Sequence, residues 1–385
     1  MKIVISMDSF KGSMTSLEAG DAVRRAAASV FPDAEISVLP FADGGEGTAE
    51  ALTAGLGGRF RHISVTGPLG EKVEARYGIV GGSMAVIEMA EAAGLPLVPS
   101  EKRNPMKATT RGVGEMIADA LDKGCRDFVI GLGGSATNDG GAGMLQTLGF
   151  EFLDENGRQI TFGAEGLADL ASIRTEHARR ELAECTFRAA CDVDNPLCGK
   201  NGASAVYGPQ KGADPVMVKE MDRSLAAYAE LAEQLPGTGS GISETPGAGA
   251  AGGMGFAVMA FLRGSLLPGT ELVFRATGLE REMMAADIVV TGEGRIDAQT
   301  GMGKGPVRIA GLAKKYGGTV IAFGGGIADD AGICNEKGID AYFPIMQSVV
   351  TLKEALDPGR AAENLERSAE QVFRLIRAEK CAEHI

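Results

Sequence analysis

The chain has 385 residues, of which 44% are hydrophobic and 23% are charged, a composition typical of a soluble α/β enzyme. Since single cores stop growing at roughly 250–300 residues, we expect two domains. The net charge of −13 argues against a nucleic-acid partner, because phosphates would be repelled over most of the surface. No apolar run approaches the roughly 20 residues of a membrane span, and no signal peptide precedes the first apolar segment, so we expect a cytoplasmic protein without membrane contact.

Strand, loop and helix units are predicted at both ends of the chain. After the strand Ile3–Ser6, Thr15 and Glu18 have capping-box spacing and open a helix that runs to about Val30. The other predicted elements, in chain order, are the strand Ile36–Leu39, a helix to about Ala54, antiparallel strands within Val65–Ser83, the strand Met84–Met89, the helix Thr110–Lys123, the strands Phe128–Ile130 and Phe187–Ala190, the helix Phe256–Leu262, the strand Asp287–Thr291, the helix Val307–Tyr316 and the strand Thr319–Phe323. Continuous apolar strands that alternate with helices indicate a parallel sheet covered on both faces. Ligands bind beyond the carboxyl ends of such strands, so we expect the polar loops there to converge.

The cysteines and histidines narrow the chemistry. Six cysteines are scattered without a CxxC pair, which argues against a zinc site or a disulfide framework and predicts buried thiols. The three histidines lie outside the glycine-rich loops. General-base chemistry is therefore expected from a carboxylate.

The segment Gly131–Gly143, GLGGSATNDGGAG, follows a predicted strand and carries six glycines and several short polar side chains. Exposed backbone amides at such a place suit an anionic group, so we interpret the segment as a phosphate or carboxylate loop, with a simple corner as the alternative. A second segment, Leu235–Gly255, is rich in Gly, Pro, Ser and Thr. It is either a flexible linker or a functional loop.

Seven ordered motifs over about Met1–Arg374 resemble the bacterial glycerate kinase family: MDSFKGSMTSLEA, FADGGEGT, GLGGSATNDGGAGML, CDVDNPLCG, GASAVYGPQKGA, GAGAAGGMG and TGEGRIDAQTGMGKGP. The resemblance implies phosphorylation of D-glycerate by ATP with Mg²⁺, commonly at the 2-hydroxyl in bacterial members. It also implies two α/β domains with the site in the cleft between them. One is a Rossmann- or flavodoxin-like parallel-sheet domain built from residues 1–66 and 286–385, and the other is an inserted α/β domain of residues 67–285. One departure is Ser6-Met7 before Asp8, where the family usually has Ala-Pro.

Phosphoryl transfer needs cations around the phosphate oxygens, a Mg²⁺ site and an acceptor for the hydroxyl proton. Asp192 and Asp194 flank one residue at a strand end, so both carboxylates point to one side and suit Mg²⁺, with Asp192 also a catalytic candidate. An Asx-turn pair is the alternative. Asp43, in FADGGEGT, is the leading candidate for the proton acceptor, and helix capping is its rival role.

Binding of the anionic groups is expected from two further sets of residues. The substrate-binding candidates are Lys11, Ser13, Arg295 and Asp297, for which a solvated charge or an ion-paired loop cluster is the alternative. The candidates for the nucleotide phosphates are Gly133, Gly134, Ser135, Thr137, Asn138, Lys211 and Lys304. For Lys211, exposure alone is the alternative explanation. No Walker A motif is present, so the spacing leaves open which loop holds ATP and which holds glycerate, and also whether 2- or 3-phosphoglycerate is formed.

Other functions fit the sequence less well. A Rossmann dehydrogenase would have GxGxxG after the first strand and an acidic residue about 20 positions later, and this fingerprint is absent. A kinase of another small hydroxy acid would share the same motifs. A non-catalytic sensor of small anions would not need the four aspartates at positions 43, 192, 194 and 297. The oligomeric state is not indicated.

Overall fold

The computed structural model of the chain describes residues 1–10, 12–42 and 47–382, with no side-chain detail for residues 380–382. Its strands are β1 (Lys2–Ile5), β2 (Glu35–Val38), β3 (Arg59–Thr66), β4 (Lys72–Val80), β5 (Met84–Glu88), β6 (Asp127–Gly131), β7 (Glu151–Leu153), β8 (Ser172–Arg174), β9 (Thr186–Ala190), β10 (Ser265–Leu267), β11 (Ile288–Ile296), β12 (Thr319–Ile327) and β13 (Ala341–Pro344).

The α-helices are α1 (Ser16–Val30), α2 (Thr48–Gly55), α3 (Ala90–Ala93), α4 (Arg111–Asp122), α5 (Ala142–Thr147), α6 (Ala164–Leu167), α7 (Ala203–Tyr207), α8 (Pro215–Glu233), α9 (Ala250–Ala260), α10 (Gly269–Thr277), α11 (Leu279–Met283), α12 (Ala298–Gly301), α13 (Gly305–Lys314), α14 (Ile333–Glu336), α15 (Leu352–Ala355) and α16 (Pro358–Ala382). Short 3-10 turns lie at Leu95–Leu97, Ser100–Lys102, Arg180–Glu184, Pro209–Lys211 and Ile242–Glu244. No described helix is long and apolar enough to cross a bilayer.

The first compact unit comprises Met1–Asp43, Ala54–Leu56 and Val273–Ile385. Its strands form a parallel sheet in the order β13-β12-β11-β1-β2. Helices α1 and α16 pack on one face of this sheet, and α11 and α13 pack on the other. Numbered along this unit alone, the order is 2-1-3-4-5, the flavodoxin-like order, which confirms the predicted parallel-sheet class. The strand order reverses between β1 and β11.

The start of α1 shows how local sequence sets this unit. Thr15 Oγ1 accepts a hydrogen bond from the Glu18 backbone amide at 3.2 Å, and the Glu18 carboxylate accepts one from the Thr15 amide at 2.8 Å. The predicted capping box is confirmed, and the helix ends at Val30 as predicted. Ala19, Val23 and Ala27 lie four residues apart and therefore share one face of the helix. This apolar face of α1 is buried against the sheet.

The second compact unit comprises Gly44–Thr53 and Gly57–Leu272. Its main sheet has the order β10-β9-β6-β5-β4-β3, in which β5, β6, β9 and β10 are parallel and β3 and β4 form an antiparallel edge. The strands β7 and β8 form a separate hairpin. The antiparallel strands predicted within Val65–Ser83 therefore belong to a mixed sheet.

The division between the units differs from the predicted boundaries at three places, of which the first is Gly44–Thr53, a segment of the second unit. Residues 57–66 belong to the second unit, because β3 pairs with β4 along its whole length, from Arg59 opposite Ile79 to Thr66 opposite Lys72. Residues 273–285 belong to the first unit, where Leu279 and Met283 pack in the core beneath β11.

The cysteines also differ from expectation. Cys125 and Cys334 are buried, whereas Cys185, Cys191 and Cys198 are half-buried free thiols.

Candidate active site

The glycine-rich loop of the second unit is closed by a buried carboxylate. Asp139 is fully buried and accepts hydrogen bonds from the amide and hydroxyl of Thr110, at 2.8 and 2.9 Å, and from the amides of Gly141 and Gly143. Burial raises the pKa of Asp139, and these four donors oppose that shift. The carboxylate thereby ties the loop to the start of α4 and orders the turn that leads into α5.

A second glycine-rich segment packs against this loop. Ala251, Gly252 and Gly253 have left-handed backbones with φ of 53°, 72° and 93°. The Gly252 carbonyl accepts a hydrogen bond from the Gly140 amide at 2.9 Å, and a Cβ on Gly252 would lie 2.1 Å from the Thr137 carbonyl oxygen. Only glycine allows this approach. The flexible-linker interpretation is therefore wrong for residues 250–255, which interlock with the loop.

Lys211 is buried beside the glycine-rich loop, with only 2% of its surface exposed. Its Nζ donates to the Ser135 hydroxyl at 2.9 Å and to the Thr137 carbonyl at 2.6 Å. Within the described residues, no carboxylate forms an ion pair with it. Burial lowers the pKa of Lys211 to about 7, against the weaker opposing effect of the Asp139 charge. Exposure therefore does not explain this lysine.

Lys211 and part of the glycine-rich loop line one cavity of about 440 Å³. Its lining includes Gly133, Gly134, Ser135, Lys211 and Asp192, together with the strained Ala251. Five predicted site residues from three separate motifs are thus brought together. Backbone amides, a hydroxyl and a cation surround a space that suits an anion.

Thr137 and Asn138, also predicted to contact phosphate, are fully buried in the same loop. The Asn138 amide nitrogen donates to the Ser204 hydroxyl at 2.9 Å. Thr137 Oγ1 and Asn138 Oδ1 have no hydrogen-bond partner within the described ranges. The Asn138 side chain thus ties the loop to Ser204, and neither Thr137 nor Asn138 is part of the cavity lining.

The two predicted Mg²⁺ ligands separate in the structure. Both Asp192 and Asp194 are exposed, but only Asp192 lines the cavity, where its Oδ1 accepts a hydrogen bond from the Gly269 amide at 3.1 Å. The described part of the chain contains no cluster of three His, Cys, Asp or Glu side chains suited to a metal. Protein-bound Mg²⁺ commonly keeps several waters and uses one or two carboxylates plus substrate phosphates. Asp192 beside an anion-binding loop fits that donor set.

The predicted substrate residues lie in the first unit. Arg295 has 72% of its side chain exposed, and its Nε lies 3.7 Å from an Asp297 carboxylate oxygen. Asp297 caps α12 by accepting the Gln299 and Thr300 amides at 2.9 and 3.2 Å, and Lys304 is exposed at the start of α13. These contacts are those of an ion-paired loop cluster, and the binding roles of the three residues stay predictions.

Three other predicted site residues follow β1 or β2 in the sequence. Ser13 Oγ is buried and has no hydrogen-bond partner among the residues described. Lys11 and Asp43 lie outside the described residues. Their binding and acceptor roles stay predictions.

Sequence reasoning missed the most buried acidic group among the described residues of the first unit. Glu293 is 8% exposed and accepts a hydrogen bond from Thr300 Oγ1 at 2.6 Å. Burial raises its pKa, although the Thr300 hydrogen bond and the Lys304 charge lower it. The sequence signal for this residue was a carboxylate between two glycines at the end of an apolar strand. The predicted binding roles in this segment went to the neighbouring Arg295, Asp297 and Lys304 instead.

The fold and the cavity define an α/β protein with a cavity whose lining suits an anion. The sequence profile of the glycerate kinase family matches residues 3–377. The chain is 49% identical to glycerate 2-kinase of Escherichia coli K12 over 92% of its length and 93% of that protein. It is 47% identical to glycerate kinase of Bacillus subtilis 168 over 99% of both chains. A crystal structure from Salmonella typhimurium LT2, described as a candidate glycerate kinase 2, superposes with a TM-score of 0.88 at 45% identity over 99% of both chains.

The chain belongs to the glycerate kinase family. It is therefore an enzyme of the kinase class, as the ordered motifs predicted. The family assignment confirms that prediction.

Proposed function

We propose that this enzyme transfers the γ-phosphoryl group of ATP to the 2-hydroxyl of D-glycerate, with Mg²⁺, and so forms 2-phosphoglycerate. Family membership supports glycerate as the substrate, and the name of the E. coli relative, glycerate 2-kinase, supports the 2-position. One structural observation carries the proposal: Lys211, buried and without a carboxylate partner among the described residues, lines a cavity with the glycine-rich loop.

The cavity of the second unit is proposed to hold the nucleotide phosphates. Amides of Gly133 and Gly134 and the hydroxyl of Ser135 can donate to phosphate oxygens, since all three residues line the cavity. A phosphate near Lys211 Nζ would favour the charged ammonium, so binding and charge would reinforce each other. Lys304 remains a second candidate for phosphate.

Mg²⁺, when bound with the nucleotide, supplies positive charge that neutralises phosphate oxygens during transfer. Asp192 would hold it, because its carboxylate lines the same cavity. Asp194 would contribute only through a different orientation of its exposed side chain.

Glycerate is proposed to bind through Lys11, Ser13, Arg295 and Asp297. A guanidinium such as that of Arg295 can grip a carboxylate with two hydrogen bonds. Exclusion of water from the γ-phosphate would matter there, because water is a competing acceptor.

The reaction itself is the first test. ADP release would be measured with D-glycerate, with L-lactate and without an acceptor, across a panel of divalent metals. Enolase added to the product would consume 2-phosphoglycerate directly and thus identify the phosphorylated position. Glycerate-dependent ADP release with direct enolase consumption is the expected result, whereas ADP release that ignores glycerate with every metal contradicts the proposal.

A further inference from the structure

Polar side chains continue the register of β1 and β11 beyond the end of β1. Ile5 lies opposite Val290 in this parallel pair, the Ser6 amide donates to the Val290 carbonyl at 2.8 Å, and the Asp8 amide donates to the Gly292 carbonyl at 2.8 Å. This register places Ser6 beside Thr291 and Asp8 beside Glu293. Since alternate residues of a strand share a face, all four side chains lie on the face of Val4 and Val289, towards α13.

The position of these four residues in the sheet is the one where ligands bind in open α/β folds. The strand order of the first unit reverses between β1 and β11, and the four residues lie at the carboxyl ends of these two strands. A crevice forms at such a reversal because the connections leave in opposite directions.

Two hydroxyls on this face have no hydrogen-bond partner. Ser6 and Thr291 are fully buried, and neither Oγ atom finds a donor or acceptor among the residues described. Buried polar groups are nearly always paired in folded proteins. Two adjacent exceptions among the described residues, on the same face as Glu293, favour a polar ligand at this place.

Glu293 is a buried carboxylate at this edge with an acceptor atom to offer. One oxygen, Oε1, accepts the Thr300 hydroxyl at 2.6 Å, and no cation forms an ion pair with the carboxylate within the described part of the chain. The charged groups that face it are Asp8, Asp297 and Lys304. Burial and the two aspartates raise its pKa, while Thr300 and Lys304 lower it. A carboxylate whose pKa lies closer to neutrality is a stronger base than an exposed one.

We propose that Glu293 is the catalytic residue that accepts the proton of the glycerate hydroxyl, with the Ser6 and Thr291 hydroxyls beneath it at the acceptor site. In this step the hydroxyl oxygen forms a bond to the γ-phosphorus of ATP, and the bond from that phosphorus to the bridging oxygen breaks. ADP leaves with the electron pair, and the hydroxyl proton passes to the Glu293 carboxylate. The inference rests on the proposed function and assigns to Glu293 the role that the sequence suggested for Asp43.

The decisive variant is Glu293→Gln, which keeps the size and can still accept the Thr300 hydrogen bond but cannot take a proton. We expect kcat to fall roughly 10²–10⁴-fold and the acidic limb of its pH profile to disappear. The KM for ATP and the melting temperature should stay unchanged. Glu336→Gln, an exposed site on α14 with the same change of charge, is the matched control and should behave like wild type.

Thr300→Val keeps the test valid if Glu293→Gln fails to fold. It removes a hydrogen bond that lowers the Glu293 pKa, so the acidic limb of kcat should move to higher pH, while Thr300→Ser should leave it in place. The inference is overturned if Glu293→Gln keeps wild-type kcat, or if the acidic limb persists in Glu293→Gln and disappears in Asp43→Asn. A wild-type enzyme without glycerate-dependent ADP release would instead contradict the proposed function, which is a separate result.

Discussion

The two units offer cations to an anionic ligand in opposite ways. In the second unit, Lys211 is 2% exposed and donates only to a hydroxyl and a carbonyl. In the first unit, Arg295 has 72% of its side chain exposed and an aspartate 3.7 Å away. Burial of an amine without a counter-charge costs folding free energy, whereas an exposed ion pair contributes little. A buried, unpaired cation is therefore the stronger sign of a binding role.

Among the variants that test this comparison, Lys211→Met should have the largest effect, since it keeps the length of the side chain and removes the charge. A hydrogen bond from a charged group contributes roughly 1.5–3 kcal/mol, so affinity for ATP should fall about tenfold to a hundredfold. The melting temperature should not fall, because the variant no longer buries an amine. Titration of an ATP analogue and thermal unfolding would be measured together.

Lys304→Met is the matched control for that experiment, since the lysine is exposed and at the start of α13. Its loss of ATP affinity should be smaller. Equal losses in the two variants would break the comparison between buried and exposed cations.

The next effect concerns the metal and separates two neighbouring carboxylates. Asp192→Asn should lower turnover about tenfold or more at limiting Mg²⁺ and be partly restored by raised Mg²⁺, because the carboxylate lines the cavity. Asp194→Asn removes the same charge two residues away and should have the weaker effect. The measurement is kcat over a magnesium titration, and a stronger defect in Asp194→Asn would show that the cavity residue is not the ligand.

Arg295→Ala should give the smallest effect on the reaction. If the guanidinium binds the glycerate carboxylate, the KM for glycerate should rise about tenfold while the KM for ATP is unchanged. Loss of its exposed contact with Asp297 should change the free energy of unfolding by less than about 1 kcal/mol. A glycerate KM equal to that of wild type would leave Arg295 as a solvated charge.

The sequence predicted what local pattern determines. The capping box of Thr15 and Glu18, the parallel strands and the glycine-rich loop after β6 follow from periodicity, capping chemistry and glycine content. Lys211 was identified as a candidate for binding the nucleotide phosphates, but its burial was not predicted. Burial depends on which distant segments pack around a side chain, and no spacing along the chain encodes it.

The same limit explains the other differences. Glu293 is set apart from Asp297 by the Thr300 hydrogen bond and by its place at the strand reversal, both of which are tertiary features. The left-handed run at residues 251–253 could be read only as glycine-rich sequence, because its contact with Gly140 spans more than a hundred residues. The domain boundary at β3 depends on strand pairing in the same way.

Lys211 should make both the stability of the protein and its affinity for ATP depend on pH, because its pKa of about 7 lies below the ordinary 10.5. Between these values the unfolded chain holds one more proton than the folded chain at this site, so the contribution of Lys211 to stability rises with pH. A phosphate at Nζ would restore the charged form, so ATP binding above pH 7 should take up a proton and weaken as the pH rises.

The central claim, that the buried lysine binds the nucleotide phosphates, is tested most directly by counting protons during ATP binding. Calorimetric titration at pH 8 in two buffers of different ionisation enthalpy should show uptake of about one proton by wild type, since Lys211 is mostly neutral beforehand. Lys211→Met should show none, and wild type at pH 6 should show far less. Equal proton uptake by wild type and Lys211→Met at pH 8, with equal affinity, would contradict the claim.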